Sequence, residues 1–250
     1  VTKNAIAVRL CIDQGDPIMA RLKSNGFPTL RILSPDGAVL GTPGGRDVDA
    51  LADAAAKGKA AEDDFQAASA KADVSTPEAR LDLIGKYLAR GDGAHAKSLE
   101  AGFDPKDASE PRLKAVLGIS QGLLEAGDLA ASDKFLDERA SLFSSDAQKA
   151  QLAEQRILAT AAALVNAGKL DAAAKRLEGA EKTFTSPEEK VKLDKVGVGI
   201  LIGRLNAAFN NKDKALCFKI LDQIAEKYPT SEIAKKKAEI RKTIEQKLGG

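Results

Sequence analysis

Asn25-Gly26-Phe27-Pro28-Thr29-Leu30 leads into Ile32-Leu33-Ser34-Pro35-Asp36-Gly37, then Val39-Leu40-Gly41 and Gly44-Gly45. Phe27 to Leu33 reads as a strand, bounded by turn residues on both sides. Ser34-Pro35-Asp36-Gly37 reads as a turn, because Pro35 fixes φ and Gly37 accepts the positive φ that a hairpin needs. Ala38 to Gly41 then returns as the partner strand. Upstream, Ile6, Val8, Leu10 and Ile12 alternate with Ala7, Arg9 and Cys11, which predicts a strand over Ala5 to Asp13. Asp16-Pro17 starts a helix, with Asp16 as N-cap and Pro17 at the first helical position. Ile18, Met19 and Leu22 form its apolar face, and Gly26 suits a left-handed cap. Downstream, Asp47 caps a helix carrying Val48, Leu51 and Ala55. The order is strand, helix, strand, hairpin strand, helix.

That order, the Phe27-Pro28-Thr29 triplet, the Pro35-Asp36-Gly37 turn and the later glycines resemble the C-terminal half of a thioredoxin-like domain. The match spans residues 6–58. The resemblance implies that Pro28 is the family's cis-proline, which presents backbone to a bound thiol substrate. It implies that Phe27 tunes substrate preference and that Thr29 completes the substrate-binding triplet. The family's redox pair sits in an upstream C-x-x-C loop, and this chain contains no C-x-x-C. Its two cysteines, Cys11 and Cys217, are far apart in sequence. Cys11 falls on the predicted strand before Pro28, a possible thiol outside the catalytic position. A Cys11–Cys217 disulfide is open on sequence alone. The plainer reading is two small apolar side chains.

In the family's sheet, the strands matching residues 5–13 and 27–33 are separated by one more strand. An empty slot there would leave buried backbone groups unpaired. The expectation is that other polypeptide fills it: an upstream fragment, a second copy or a partner's strand.

From about Lys59 onward only helix signals recur. Thr76-Pro77-Glu78, Ser109-Glu110-Pro111, Ser145-Asp146-Ala147-Gln148 and Ser186-Pro187-Glu188-Glu189 each read as a helix start, the last two as capping boxes. Leu124-Glu125-Ala126-Gly127-Asp128-Leu129-Ala130-Ala131 resembles Val165-Asn166-Ala167-Gly168-Lys169-Leu170-Asp171-Ala172. Leu129/Leu170, Leu136/Leu177 and Phe143/Phe184 keep one offset of 41 residues. Weaker copies begin near Gly91-Asp92 and Asn211-Lys212-Asp213, and Tyr228 closes the last unit in Phe184's role. The pattern is similar to a tetratricopeptide-type helical repeat, with a period departing from the family's value of about 34 residues. Such units bury a shared core by stacking.

Composition limits the functional classes. Net charge is +2, from 38 basic and 36 acidic residues. That balance, without a basic patch interleaved with aromatics, argues against nucleic acid. No apolar run approaches about 18 residues, so no membrane span is expected. The chain opens on Val1 rather than Met, as in a processed product, an excised segment or an incomplete sequence. His95, the single histidine, has no Cys neighbour and predicts no metal site. Gly41-Thr42-Pro43-Gly44-Gly45 lacks the Gly-Lys-Ser/Thr ending of a phosphate cradle. Asp63-Asp64 and Glu188-Glu189 are helix neighbours that diverge, and so are poor paired acids. Lys235, Lys236, Lys237, Arg241 and Lys242 interleave with glutamates and read as the solvated face of a terminal helix.

The sequence therefore predicts an α+β protein. A partial thioredoxin-like α/β segment, residues 1–58, is followed by an all-α tetratricopeptide-like helical hairpin array, residues 59–250. The expected function is a protein–protein interaction scaffold that binds a protein or peptide on the array, with no cofactor and no catalytic residue. One alternative is a thiol–disulfide oxidoreductase whose C-x-x-C lies upstream. A second is a structural or assembly protein. The family resemblance inclines toward an extracytoplasmic location.

Overall fold

The computed structural model describes residues 30–34, 39–71 and 74–248. Within these, β1 (Ile32–Leu33) and β2 (Val39–Gly41) pair antiparallel. Ile32 lies opposite Gly41 and Leu33 opposite Val39, with an irregularity in register between them. The predicted hairpin return is thus present on either side of Pro35-Asp36-Gly37. Phe27, Pro28, Thr29, Cys11, the strand at 5–13 with its sheet slot, the Asp16-capped helix and the turn itself lie outside the described residues.

The α+β expectation is corrected here. The described residues are mostly helical, and their only sheet is this two-stranded one, so they contain no thioredoxin-like sheet core. The reason is local. Two strands of two and three residues are too short to build a layer that helices could cover. The chain then enters a long alanine-rich helix, α1 (Val48–Lys71). Asp47 caps α1: its Oδ1 accepts the Ala50 N–H at 2.8 Å. Buried Gly58 brings the first half of α1 against the hairpin. A Cβ there would stand 2.9 Å from Ile32 Cγ2 and 3.3 Å from Leu40 Cβ.

The second half of α1 engages a helical hairpin, α2 (Pro77–Ala89) and α3 (Gly93–Glu100). Arg90 Nη2 meets Glu62 Oε2 at 2.6 Å, and the guanidinium lies 3.9 Å over the Phe65 ring. Phe65 meets Tyr87 edge-on at 5.1 Å. A second hairpin comes next, α4 (Glu110–Glu125) and α5 (Leu129–Ala140). Its core holds Leu113, Val116, Ile119, Phe135, Leu136 and Phe143.

The chain divides into two compact units, one ending at Leu152 and the other beginning at Ala153. Around that point run α6 (Asp146–Glu154), a π-helical turn at Gln155–Ala159 and α7 (Thr160–Asn166). Then come α8 (Leu170–Arg176), a 3₁₀ turn at Ala180–Lys182, α9 (Pro187–Asn210) and α10 (Lys214–Lys227). The last helices are α11 (Glu232–Lys235) and α12 (Lys237–Leu248). The second unit has two apolar clusters. One gathers Leu158, Phe184 and Leu193. The other gathers Leu205, Cys217, Leu221, Ile224 and Ile244.

Helix starts fall where the sequence places them. Thr76, Ser109 and Ser186 each accept a backbone N–H three residues on. Ser145 and Gln148 exchange bonds at 3.2 and 3.4 Å, and Ser186 with Glu189 at 3.3 and 3.0 Å, two complete capping boxes. The Ser186 bonds hold the Glu189 carboxyl below its ordinary range.

Four hairpin turns share one geometry. Gly91, Gly127, Gly168 and Lys212 all have positive φ, at 77, 82, 70 and 58°. In each turn the next residue donates its N–H to the carbonyl five positions back: Asp92 to Tyr87, Asp128 to Leu123, Lys169 to Leu164 and Asp213 to Ala208, at 2.9–3.0 Å. This bond closes the first helix and leaves the donor residue as N-cap of the second. Phe143 and Phe184 are both 1% exposed, as their shared offset predicts. Leu136 is buried at 2%, whereas Leu177 is only half-buried. The difference is helix length: α5 continues past Leu136, but α8 stops at Arg176 and leaves Leu177 at its C-cap.

Candidate functional site

In the first unit α3 lies across both helices of the second hairpin. Its first residue, Gly93, meets Gly122 of α4 backbone to backbone; a Cβ on Gly93 would stand 3.2 Å from the Gly122 carbonyl carbon. Its last residue, Glu100, is fully buried. Arg112 Nε on α4 donates to Glu100 Oε1 at 2.9 Å, and Arg139 Nε on α5 donates to Oε2 at 2.8 Å. Arg112 Nη1 also donates to the Asp104 and Asp107 carbonyls at 2.5 and 2.8 Å. Each carboxylate oxygen therefore has a cation, one from each helix, which is the condition for tolerating a buried charge. Between these ends Lys97 places its ammonium 5.5 Å over the Phe135 ring. The α4–α5 seam is closed by the chain's own α3.

In the second unit the corresponding seam, between α9 and α10, is open. A groove of about 420 Å³ is lined by Arg204, Ala207, Ala208 and Asn211 on α9 and its turn, and by Leu216, Lys219, Ile220 and Gln223 on α10, with Asp213 at the end. Ala208 and Ile220 form a buried floor, and Leu216 forms a wall that is 42% exposed. Helix α8 does not reach into it. Leu170, the first residue of α8, seats its side chain on Gly203, where a Cβ would stand 2.7 Å from Leu170 Cδ2. Asp171 takes Arg204 Nη2 at 2.7 Å. Where the first unit sets Gly93 against Gly122 backbone to backbone, the second sets the Leu170 side chain on Gly203. The Asp213 carboxylate is engaged in capping α10, accepting the Leu216 N–H at 2.9 Å.

The remaining candidates resolve into structural roles. His95 lies on the exposed face of α3. Its Nδ1 is 2.6 Å from Asp92 Oδ2, and its ring stacks on Tyr87 at 5.1 Å. Among the described residues no group of His, Cys, Asp and Glu is placed to hold a metal. Cys217 is a free, fully buried thiol, and burial followed by the Asp213 charge pushes its pKa up, which makes it a poor nucleophile. Thr42 to Arg46 line a cleft of about 250 Å³ with Leu30 and Arg31. Asp63 pairs with Lys59 at 2.6 Å. Of the C-terminal cations, Lys237 and Arg241 share Asp222 of α10, at 2.7 and 3.4 Å.

Neither the Glu100 clasp nor the groove stands out in the sequence. Arg112 and Arg139 are 12 and 39 residues from Glu100. The single signal for the groove was the change from Gly93 to Leu170 at the first helical position after the repeated turn. No family model matches the chain, nor does any curated protein or solved structure. Within each unit the described residues form α-helical hairpins closed by turns of one geometry. Among them no helix is long and apolar enough to cross a membrane.

Proposed function

We propose that this chain is a protein-binding scaffold whose helical hairpins present a docking surface to a protein or peptide. The observation that carries the reading is the groove between α9 and α10, apolar on its floor and polar at its rim. The turn geometry shared by four hairpins supports it. Stacked hairpins of this kind expose whole helix faces, and such faces serve as recognition surfaces. The resemblance to tetratricopeptide-type repeats belongs to the same proposal, with a partner segment lying against the helices.

The test is lysine-directed cross-linking of the purified chain in an extract of its source cells, read by mass spectrometry. The expected result is one recurrent partner joined to lysines of α9 and α10, such as Lys195 and Lys219. A chain that cross-links only within itself would sink the reading.

A further inference from the structure

The first unit displays what closes a seam of this kind. A helix lies across the two helices of a hairpin, a small residue touches one of them, and a carboxylate is gripped by a cation from each. The second unit offers the same ingredients without the closing helix. Ala207 and Ala208 supply small residues on α9, and Leu216 and Ile220 supply apolar contact on α10. Arg204 stands on α9 and Lys219 on α10, again one cation from each helix.

We propose that the α9–α10 groove docks an acidic amphipathic helix of a partner protein, a proposal that rests on the scaffold reading and specifies its ligand. The helix lays small and aliphatic side chains on Ala208, Leu216 and Ile220. It sets a carboxylate between Arg204 and Lys219, as Glu100 is set between Arg112 and Arg139.

Charge favours this occupant over a basic one. The Asp213 carboxylate is engaged at the α10 N-terminus, and Asp171 contacts Arg204 through one oxygen. That single bond leaves the other donors of the guanidinium to face the groove. Lys212 adjoins Asp213 in the turn, whereas Lys214 is turned away, its ammonium 5.8 Å over the Phe218 ring. Asp222, the next acid along α10, is turned to Lys237 and Arg241.

The test is fluorescence anisotropy of the full chain with a labelled peptide of about 16 residues, a length that sustains a helix. The peptide is built from Glu, Ala and Leu with the leucines on one face. A second peptide carries Lys in place of every Glu. The acidic peptide is expected to bind saturably and the basic one not. Leu216→Ser and Lys219→Glu each weaken binding by about tenfold or more, the scale of losing a central contact. Both residues are exposed, so both variants fold, and Lys57→Glu on α1 serves as a control that changes nothing. Equal binding by Lys219→Glu and the parent, equal binding of the two peptides, or no saturable binding overturns the proposal. If the cross-linked partner survives Leu216→Ser, the scaffold reading stands and this groove is wrong. If no partner is found with the parent chain, both fall.

Discussion

Gly93 and Gly122 touch backbone to backbone. A Cβ on Gly93 would lie 3.1 Å from the Leu123 nitrogen and 3.2 Å from the Gly122 carbonyl carbon. Main chain cannot swing aside as a flexible side chain can. Gly93→Val is therefore expected to force α3 off α4 and destabilise the first unit by about 1–3 kcal/mol, the usual cost of overpacking. Gly85→Ala, at a position with nothing within 4 Å of the added carbon, should be neutral or slightly stabilising. Denaturant melts of both variants decide the point.

Glu100 is the anchor at the other end of α3. Glu100→Gln removes the charge that both guanidiniums face; Arg139 keeps Glu138 at 3.9 Å, but the buried Arg112 loses its carboxylate. The expected loss is about 3–5 kcal/mol, as for a broken buried pair. Lys57→Ala breaks an exposed pair with Asp53 and should cost under about 1 kcal/mol. Comparable losses for the two would show that the clasp contributes no more than a surface contact.

Leu136 and Leu177 share a repeat offset but not an environment. Leu136→Ala empties a buried site and should cost about 2–5 kcal/mol. Leu177 is half-buried at the end of α8, so Leu177→Ala should cost clearly less. Thermal or urea unfolding that ranks them equally, or the reverse, would contradict the placement of α8's end.

Asp222 ties α12 to α10. The hydrogen bond from Lys237, followed by the Arg241 charge, lowers its carboxyl pKa below the ordinary 3.8. A lowered folded-state pKa means that the contribution is complete above the unfolded value and is lost as pH falls through the folded one. The protection factors of the α12 amides, which correct for the intrinsic pH dependence of exchange, should accordingly be lower below about pH 4 than at neutral pH, taking the unperturbed Asp value as reference. Asp222→Asn should remove that part of the pH dependence. Hydrogen exchange read by mass spectrometry, with an unchanged profile in the variant, would refute the assignment.

Much of the helical part was legible because its signals are local. A Ser or Thr three residues before a backbone donor, or a Gly before the N-cap of the next helix, acts within one turn of chain. Thr76, Ser109, Ser145, Ser186 and the glycines at 91, 127 and 168 behave accordingly. The α+β expectation failed for the opposite reason. Ile32, Leu33, Val39 and Leu40 carry strand-forming side chains, but a sheet core needs further strands placed by distant sequence. Residues 48–71 extend the helical run instead. The Glu100 clasp and the groove rest on how α3 and α8 seat on their neighbours, Gly93 on Gly122 and Leu170 on Gly203, contacts between residues far apart in sequence. Leu136 and Leu177 look equivalent along the chain and separate only once helix ends are known.

Lys212 holds the same left-handed backbone as Gly91, Gly127 and Gly168, yet it carries a side chain there. An L-residue in that conformation is strained by about 1 kcal/mol relative to glycine. Three sister turns show the relaxed solution. This turn therefore holds stability in reserve: glycine at 212 would release strain that the turns at 91, 127 and 168 do not carry.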